Sequence, residues 1–315
     1  MIGKNEWKKI LPPRVIDSTK IADRLENTLE LQEVRLRVGY PIYIKTRRKS
    51  YFLKSDMGGG NITKRDIQEM LALLSGYSLY AFEEELRQGY ITLNGGHRVG
   101  FCGRAVIENG TVKTLRQISS VNIRIASEVK GCATPWIPYL FEGDNLCHTL
   151  IVSPPGCGKT TLLRDIIRQL SEGWRRRWTV GVVDERGEIA AMKDGEAQMD
   201  IGPCTDVQEN VTKTEGMLML LRSMAPDVIA VDELGKKEDF AGVEAMLCAG
   251  VILICTVHGS NMAELAGKPY LKEFIHQKTI GRYVFLSKTE KTGTVAAILD
   301  GAQRVLYRRG DGEDA

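Results

Sequence analysis

From His148 onward the chain alternates between two rhythms. Short apolar runs, "HTLIVS" (148–153), "TVGVVDE" (179–185), "DVIAVDE" (227–233) and "VILICTV" (251–257), are separated by stretches with apolar residues three and four apart, such as "KTTLLRDIIRQLS" (159–171) and "NVTKTEGMLMLLRSM" (210–224). A run apolar on both sides belongs to a strand buried on both faces, so strands alternating with helices predict a parallel sheet flanked by helices, an α/β domain. "RYVFLSKTEKTGTVAAILD" (282–300) then reads as a hairpin and "RRGDGEDA" (308–315) as a frayed tail.

The first 130 residues follow a different pattern. "VRLRVGYPIYIK" (34–45) and "SYFLK" (50–54) read as strands, and "TKRDIQEMLALLS" (63–75) as a helix behind a Thr cap. A second short helix is expected at "LYAFEEELRQG" (79–89). "GYITLNGGHRVGFCGRAVIENGTVKTL" (89–115) is antiparallel in character, with hairpin turns at "NGG" and "NG". These elements predict a smaller α+β domain over residues 1–130. The Gly- and Pro-bearing segment 131–146 is expected to be a linker, and residues 147–315 the α/β domain.

Composition narrows the classes. A formal net charge of +3 over 315 residues argues against a nucleic-acid partner, which calls for a far more basic domain. The seven cysteines are odd in number and form no CxxC pair, so neither a zinc site nor a disulfide framework is expected, and a reducing cytoplasm fits. "MIGKNEWKKILPPRVID" lacks the apolar core of a signal peptide, and "AGVILICTV" (249–257) is too short to span a bilayer. "WRRRW" (174–178) mixes base and aromatic, but its place between a helix end and a strand favours cations complementing the helix dipole.

The candidate chemistry starts at "LIVSPPGCGKTTLL" (150–163). A phosphate loop needs small residues so that backbone N–H groups point at phosphate oxygens. It also needs a Lys for the outer phosphates and a Ser or Thr for magnesium, at the start of a helix. Gly156, Gly158, Lys159 and Thr160 meet these needs between an apolar strand and a helix. The nucleotide-binding stretch is Ser153, Pro154, Pro155, Gly156, Cys157, Gly158, Lys159, Thr160 and Thr161. Ser153 departs from the pattern GxxxxGK[ST], which has Gly there, and fits only where the backbone avoids positive φ.

The second half of such a site is acid at a strand end. "PDVIAVDELG" (226–235) offers Asp232 for magnesium and Glu233 to orient or deprotonate the attacking water. "VVDERGE" (182–188) places Asp184, Glu185 and Glu188 after another strand. "VILICTVHGSN" (251–261) puts His258 at a further strand end, where a neutral imidazole would sense the γ-phosphate. The carboxyl edge of a parallel sheet is where ligands bind.

In this order, "SPPGCGKTT", "VVDERGE", "MLLRSMAPDVIAVDELG" and "GVILICTVHGS" resemble the secretion ATPases of type II and type IV systems, and within them the branch found in endospore-forming bacteria. The resemblance extends over nearly the whole chain. It implies a RecA-like ATPase domain behind an N-terminal domain, with ATP and magnesium as cofactors and a ring, usually a hexamer, as the assembly. It assigns Lys159, Thr160, Asp232 and Glu233 to nucleotide, magnesium and water. Asp184 and Glu185 correspond to an acidic box and His258 to a histidine box. Many of those ATPases have Gly-Glu where this chain has Asp232-Glu233. In such rings an Arg often comes from a neighbour or from the N-terminal domain, and Arg98, Arg104, Arg116 and Arg124 are the candidates here. The implied partners are copies of the chain itself and the cytoplasmic parts of a membrane channel between mother cell and forespore. The implied location is cytoplasmic in the mother cell, peripheral to the membrane. Two other readings stay open: a ring-forming nucleic-acid motor, and an ATP-binding scaffold with little turnover.

Overall fold

The computed structural model describes residues 6–16, 31–46, 49–53, 60–75, 86–87, 89–287 and 293–310. The helix expected at 79–89 falls mostly outside them. Two units are formed, one by Met1–Ser127 with Met192–Gln198, the other by Glu128–Ala191 with Met199–Ala315.

The first unit has short helices α1 (Glu6–Lys9) and α2 (Pro13–Ile16), strands β1 (Leu31–Arg37), β2 (Tyr43–Thr46) and β3 (Ser50–Phe52), and helix α3 (Lys64–Leu74). Strands β4 (Tyr90–Thr92), β5 (Arg98–Glu108) and β6 (Thr111–Arg124) follow. Alternation of apolar and polar side chains buries one face of each strand. Val34 and Leu36 of β1 are buried while Arg35 and Arg37 are not, and Val99, Phe101, Val121 and Ile123 do the same on β5 and β6. The sheet is antiparallel in the order β3-β2-β1-β6-β5-β4. Trp7, Leu11, Val15, Ile67 and Met70 close its core. Helix α3 starts in a capping box: Asp66 N donates to Thr63 Oγ1 (3.2 Å) and Thr63 N donates to Asp66 Oδ2 (2.6 Å). The β5–β6 turn is Asn109-Gly110, both at positive φ, as a two-residue hairpin requires. Within that hairpin the chain passes so close to Arg116 O that a Cβ on Gly103 would lie 2.6 Å from it.

The second unit begins with a hairpin, β7 (Phe141–Glu142) and β8 (Asn145–Leu146), then β9 (Thr149–Ser153), α4 (Lys159–Glu172) and β10 (Val180–Asp184). A small hairpin, β11 (Met192–Lys193) and β12 (Glu196–Ala197), belongs to the first unit, where Gly95 N donates to Gln198. Then come β13 (Thr205–Glu209), α5 (Lys213–Ser223), β14 (Val228–Val231), α6 (Asp239–Cys248), β15 (Ile252–His258), α7 (Met262–Ala266), α8 (Pro269–His276), β16 (Arg282–Leu286), β17 (Val295–Asp300) and β18 (Val305–Arg308). The eight-stranded sheet runs β13-β10-β14-β15-β9-β16-β17-β18. Its first six strands are parallel and the last two antiparallel, so the sheet is mixed rather than wholly parallel. β9, β10 and β14 are buried at every position, as their apolar runs predict, and so is β16, read from the sequence as one arm of a hairpin. Arg308, expected in the tail, is still paired in β18; residues 311–315 lie outside the described part.

The segment expected as a linker is built into this unit. Gly131 N and Ala133 N donate to the two oxygens of Asp165 on α4 (3.0 and 2.7 Å). Ile137, Leu140, Phe141 and Leu146 are buried, and Arg282 donates to the carbonyls of Tyr139 and Phe141 (2.6 and 2.8 Å). "WRRRW" is likewise absorbed locally: Trp178 is buried, Arg176 stacks 3.8 Å from its ring, and Arg175 stacks on Phe141.

Candidate active site

Six parallel strands end at one edge of the sheet, and polar residues at the ends of four of them, β9, β10, β14 and β15, meet there. β9 ends at Ser153, which is buried and absent from the positive-φ positions, so the loop is entered without a glycine. Pro154 and Pro155 lead to Gly156 (φ 77°), Cys157 and Gly158 (φ 93°), a backbone that favours glycine at both places. Gly158 caps α4 with no side-chain hydrogen bond, which leaves the first-turn N–H groups of Lys159, Thr160 and Thr161 facing the loop. A 14-residue helix opening in this way favours an anion. Cys157 points inward and is buried, and its carbonyl accepts from Gly293 N (2.9 Å).

Lys159 folds back over the loop. Its Nζ donates to Ser153 O (3.3 Å) and Pro154 O (3.5 Å) and lies 3.1 Å from His258 Nδ1. Burial pushes its pKa below the ordinary lysine value, against the pull of Asp232 and Glu233. Thr160 Oγ1 donates to Asp232 Oδ2 at 2.6 Å, and Thr256 Oγ1 donates to the other oxygen. The pairing of a loop hydroxyl with a strand-end carboxylate fits a divalent ion shared between them and bound phosphate. Among the described residues no cluster of three or more His, Cys, Asp or Glu is placed to hold a metal, so such an ion would take its remaining ligands from phosphate and water.

Glu233 sits in the left-handed region (φ 55°), fixed by its N–H to Thr256 Oγ1 (2.9 Å). That conformation is costly for a non-glycine residue and turns the side chain out of the strand. Glu233 Oε1 lies 3.0 Å from His258 Nε2, and Oε2 accepts from Arg186 (2.6 Å). Lys268 donates to His258 O and steadies the strand end. The edge thus brings Lys159, Thr160, Asp232, Glu233 and His258 into one connected group.

The acidic loop after β10 divides its residues. Asp184 is buried, and its carboxylate accepts the N–H groups of Glu188, Ile189 and Ala190 (2.8, 3.0 and 2.9 Å). It ties the loop together at the wall of a cleft that Glu185, Glu188, Asp232 and Glu233 also line. Arg164 clamps the same loop through the carbonyls of Glu188 and Ile189, both at 2.6 Å. Glu185 is ion-paired with the buried Lys213, and both line a cleft with Arg186, Asp232 and Glu233. Thr256, Arg186 and Lys213 join the expected residues here. Thr256 is a hydroxyl two places before His258 in an otherwise apolar strand, which is a faint signal; Arg186 lies inside "VVDERGE" and could have been read from it, while Lys213 carries no signal.

Arg98, Arg104, Arg116 and Arg124 belong to the other unit. There they stand as two cross-strand pairs, Arg98 opposite Arg124 and Arg104 opposite Arg116. Arg98 also stacks on Tyr90, 3.4 Å from the ring centre. Among the described residues no helix is long and apolar enough to cross a membrane.

Residues 4–306 match the family model described as sporulation stage III, protein AA. The chain is 42% identical to stage III sporulation protein AA of Bacillus subtilis (strain 168) over 306 residues, 96% of this chain and 97% of that one. Its fold is similar to the ATPase DotB of Legionella pneumophila, with a TM-score of 0.61 at 16% identity over 92% of this chain and 82% of that chain. It is also similar to the pilus retraction motor PilT with bound ADP, with a TM-score of 0.53 at 16% identity over 85% and 77%.

Proposed function

The chain belongs to the sporulation stage III protein AA family, and on that premise we propose that it is a magnesium-dependent ATP hydrolase of the secretion-ATPase type. Its turnover would drive assembly or transport by a membrane channel complex during endospore formation. The observation that carries this reading is the single sheet edge at which the phosphate loop, the acid pair and the histidine are joined by hydrogen bonds. The strand order, with β15 between the loop strand β9 and the acidic strand β14, supports a RecA-like domain from about residue 128 onward.

In this reading the N–H groups from Gly156 to Thr161 cradle the phosphates, and Lys159 leaves the Ser153 and Pro154 carbonyls for the outer phosphate oxygens. Thr160 and Asp232 would hold magnesium, which when bound would neutralise charge on the phosphates. Glu233 accepts a proton from, or aims, the attacking water. His258 stands between Lys159 and Glu233 and reports phosphate occupancy from one to the other. Glu185 lines the same cleft, with Lys213 holding its carboxylate. The arginine pairs of the N-terminal unit are candidates to reach a site in a neighbouring copy of a ring, a hexamer by analogy, docked on the cytoplasmic face of its membrane partner.

The test is steady-state ATP turnover per chain across a wide range of protein concentration with magnesium present. Specific activity that rises with concentration is the expected result and means that copies share the site. Flat turnover withdraws the shared site and keeps the ATPase. Binding without turnover replaces the hydrolase by an ATP-binding scaffold.

A further inference from the structure

Arg186 lies inside the "VVDERGE" stretch but is given no role there, yet its guanidinium reaches the carboxylate that matters most at this edge. Nη1 lies 2.6 Å from Glu233 Oε2, while Oε1 is 3.0 Å from His258 Nε2. His258 Nδ1 faces Lys159 Nζ at 3.1 Å. An ammonium only donates, so Nδ1 accepts and the ring proton sits on Nε2, aimed at Glu233. Lys159, His258, Glu233 and Arg186 therefore form one chain of donors and acceptors, with both Glu233 oxygens engaged.

The backbones at the two ends of the Arg186–Glu233 contact are fixed. The Arg186 loop is held by Asp184 and Arg164, and the Glu233 backbone by Thr256. Breaking the contact needs only side-chain rotation. Arg186 is also 57% exposed against 26% for Glu233, so water screens the pair and keeps it easy to open.

We propose that Arg186 is a lock on Glu233. In the nucleotide-free protein it holds the carboxylate out of use, because a carboxylate whose two oxygens already accept from strong donors is a poor acceptor for the proton of water. Phosphate in the loop draws Lys159 away from His258, His258 loosens its hold on Glu233, and Arg186 alone no longer retains it. Loop occupancy is thereby coupled to the freedom of the candidate base. The proposal rests on the hydrolysis reading above and makes Arg186 a positioning residue that touches Glu233 and not the nucleotide.

The experiment uses the full chain as wild type, Arg186→Ala, Arg186→Lys, Glu233→Gln and the Arg186→Ala/Glu233→Gln double variant. kcat and KM for ATP are measured, together with melting temperature in the absence of nucleotide. Arg186→Ala is expected to lower KM for ATP about two- to fivefold at nearly unchanged kcat, because ATP then binds without first opening the contact, with Arg186→Lys returning toward wild type because it keeps the charge; a raised kcat at unchanged KM means that the contact persists with ATP bound and overturns the coupling to loop occupancy. A fall in kcat in Arg186→Ala overturns the lock and makes Arg186 an aid to the reaction. A raised KM overturns it in favour of a phosphate contact. If no variant turns ATP over at any concentration, the hydrolysis reading fails and the lock falls with it. Where turnover is seen, melting tests the contact itself: a loss of melting temperature in the double variant smaller than the sum of the two single losses supports the coupling, and a loss equal to that sum overturns it.

Discussion

Thr256 shows how one hydroxyl can organise a site. It donates to Asp232 and accepts from Glu233 N, so it fixes both members of the acid pair and the left-handed turn between strand and loop. Thr256→Val keeps the shape and removes both bonds, leaving the half-buried Asp232 carboxylate and the Glu233 N–H each short of a partner. We expect kcat to fall about tenfold or more while ATP affinity moves less than about threefold, and stability to drop about 1–3 kcal/mol. Comparable losses in affinity and kcat would mean that Thr256 shapes the phosphate loop instead. The acid pair and the loop lysine were legible in the sequence because each lies at a fixed offset from an apolar run. Thr256, Lys213 and the role of Arg186 were not, because they come from pairings between strands and loops distant in sequence. Ser153 raised a doubt that only the backbone could resolve: its φ is not positive, so no glycine is needed.

At the level of elements, the apolar runs announced the strands of the parallel core, and the Thr63 cap announced α3. Segment 131–146 misled for a physical reason. Its Gly and Pro content reads as linker, while the group that orders it, Asp165, lies on α4. The Asp184 carboxylate has a second role for the same reason: besides lining the cleft it ties its own loop, and only the N–H groups around it show that. Asp165 also predicts a pH dependence. Burial raises its carboxyl pKa, but hydrogen bonds from Ala133 N, Arg168 and Gly131 N outweigh it and hold the group below the ordinary range. Its stabilising contribution is therefore complete above the unfolded carboxylate value of about 4 and is lost as pH falls through the lower folded value. Asp165→Asn should cost about 1–3 kcal/mol at neutral pH, and the gap from wild type should narrow in acid. Urea unfolding at several pH values measures it, and a gap constant down to about pH 3 would mean that Asp165 stays unperturbed.

For the whole molecule the open question is where the arginines of the N-terminal unit act. Arg104 opposite Arg116 puts like charges across a ladder, an arrangement that is unfavourable unless an anion offsets it, whereas Arg124, opposite Arg98, also has Glu33 across it on β1. If that anion is phosphate held by another copy, each site is assembled from two chains and a mixing experiment exposes it. One variant carries Glu233→Gln and the other Arg104→Gln with Arg116→Gln; a second mixture uses Arg98→Gln with Arg124→Gln. Each variant alone should be nearly inactive. In an equal mixture that exchanges freely, a site is whole when a chain with intact Glu233 faces a neighbour with intact arginines, and in a head-to-tail ring that occurs at about one interface in four. Turnover recovering to about a quarter of wild type in one mixture identifies the pair that acts between copies. If both arginine variants are inactive and neither mixture recovers, the arginines serve the site of their own chain, because every chain in the mixture then still carries a lesion in its own site. An arginine variant that keeps full turnover removes that pair from the mechanism.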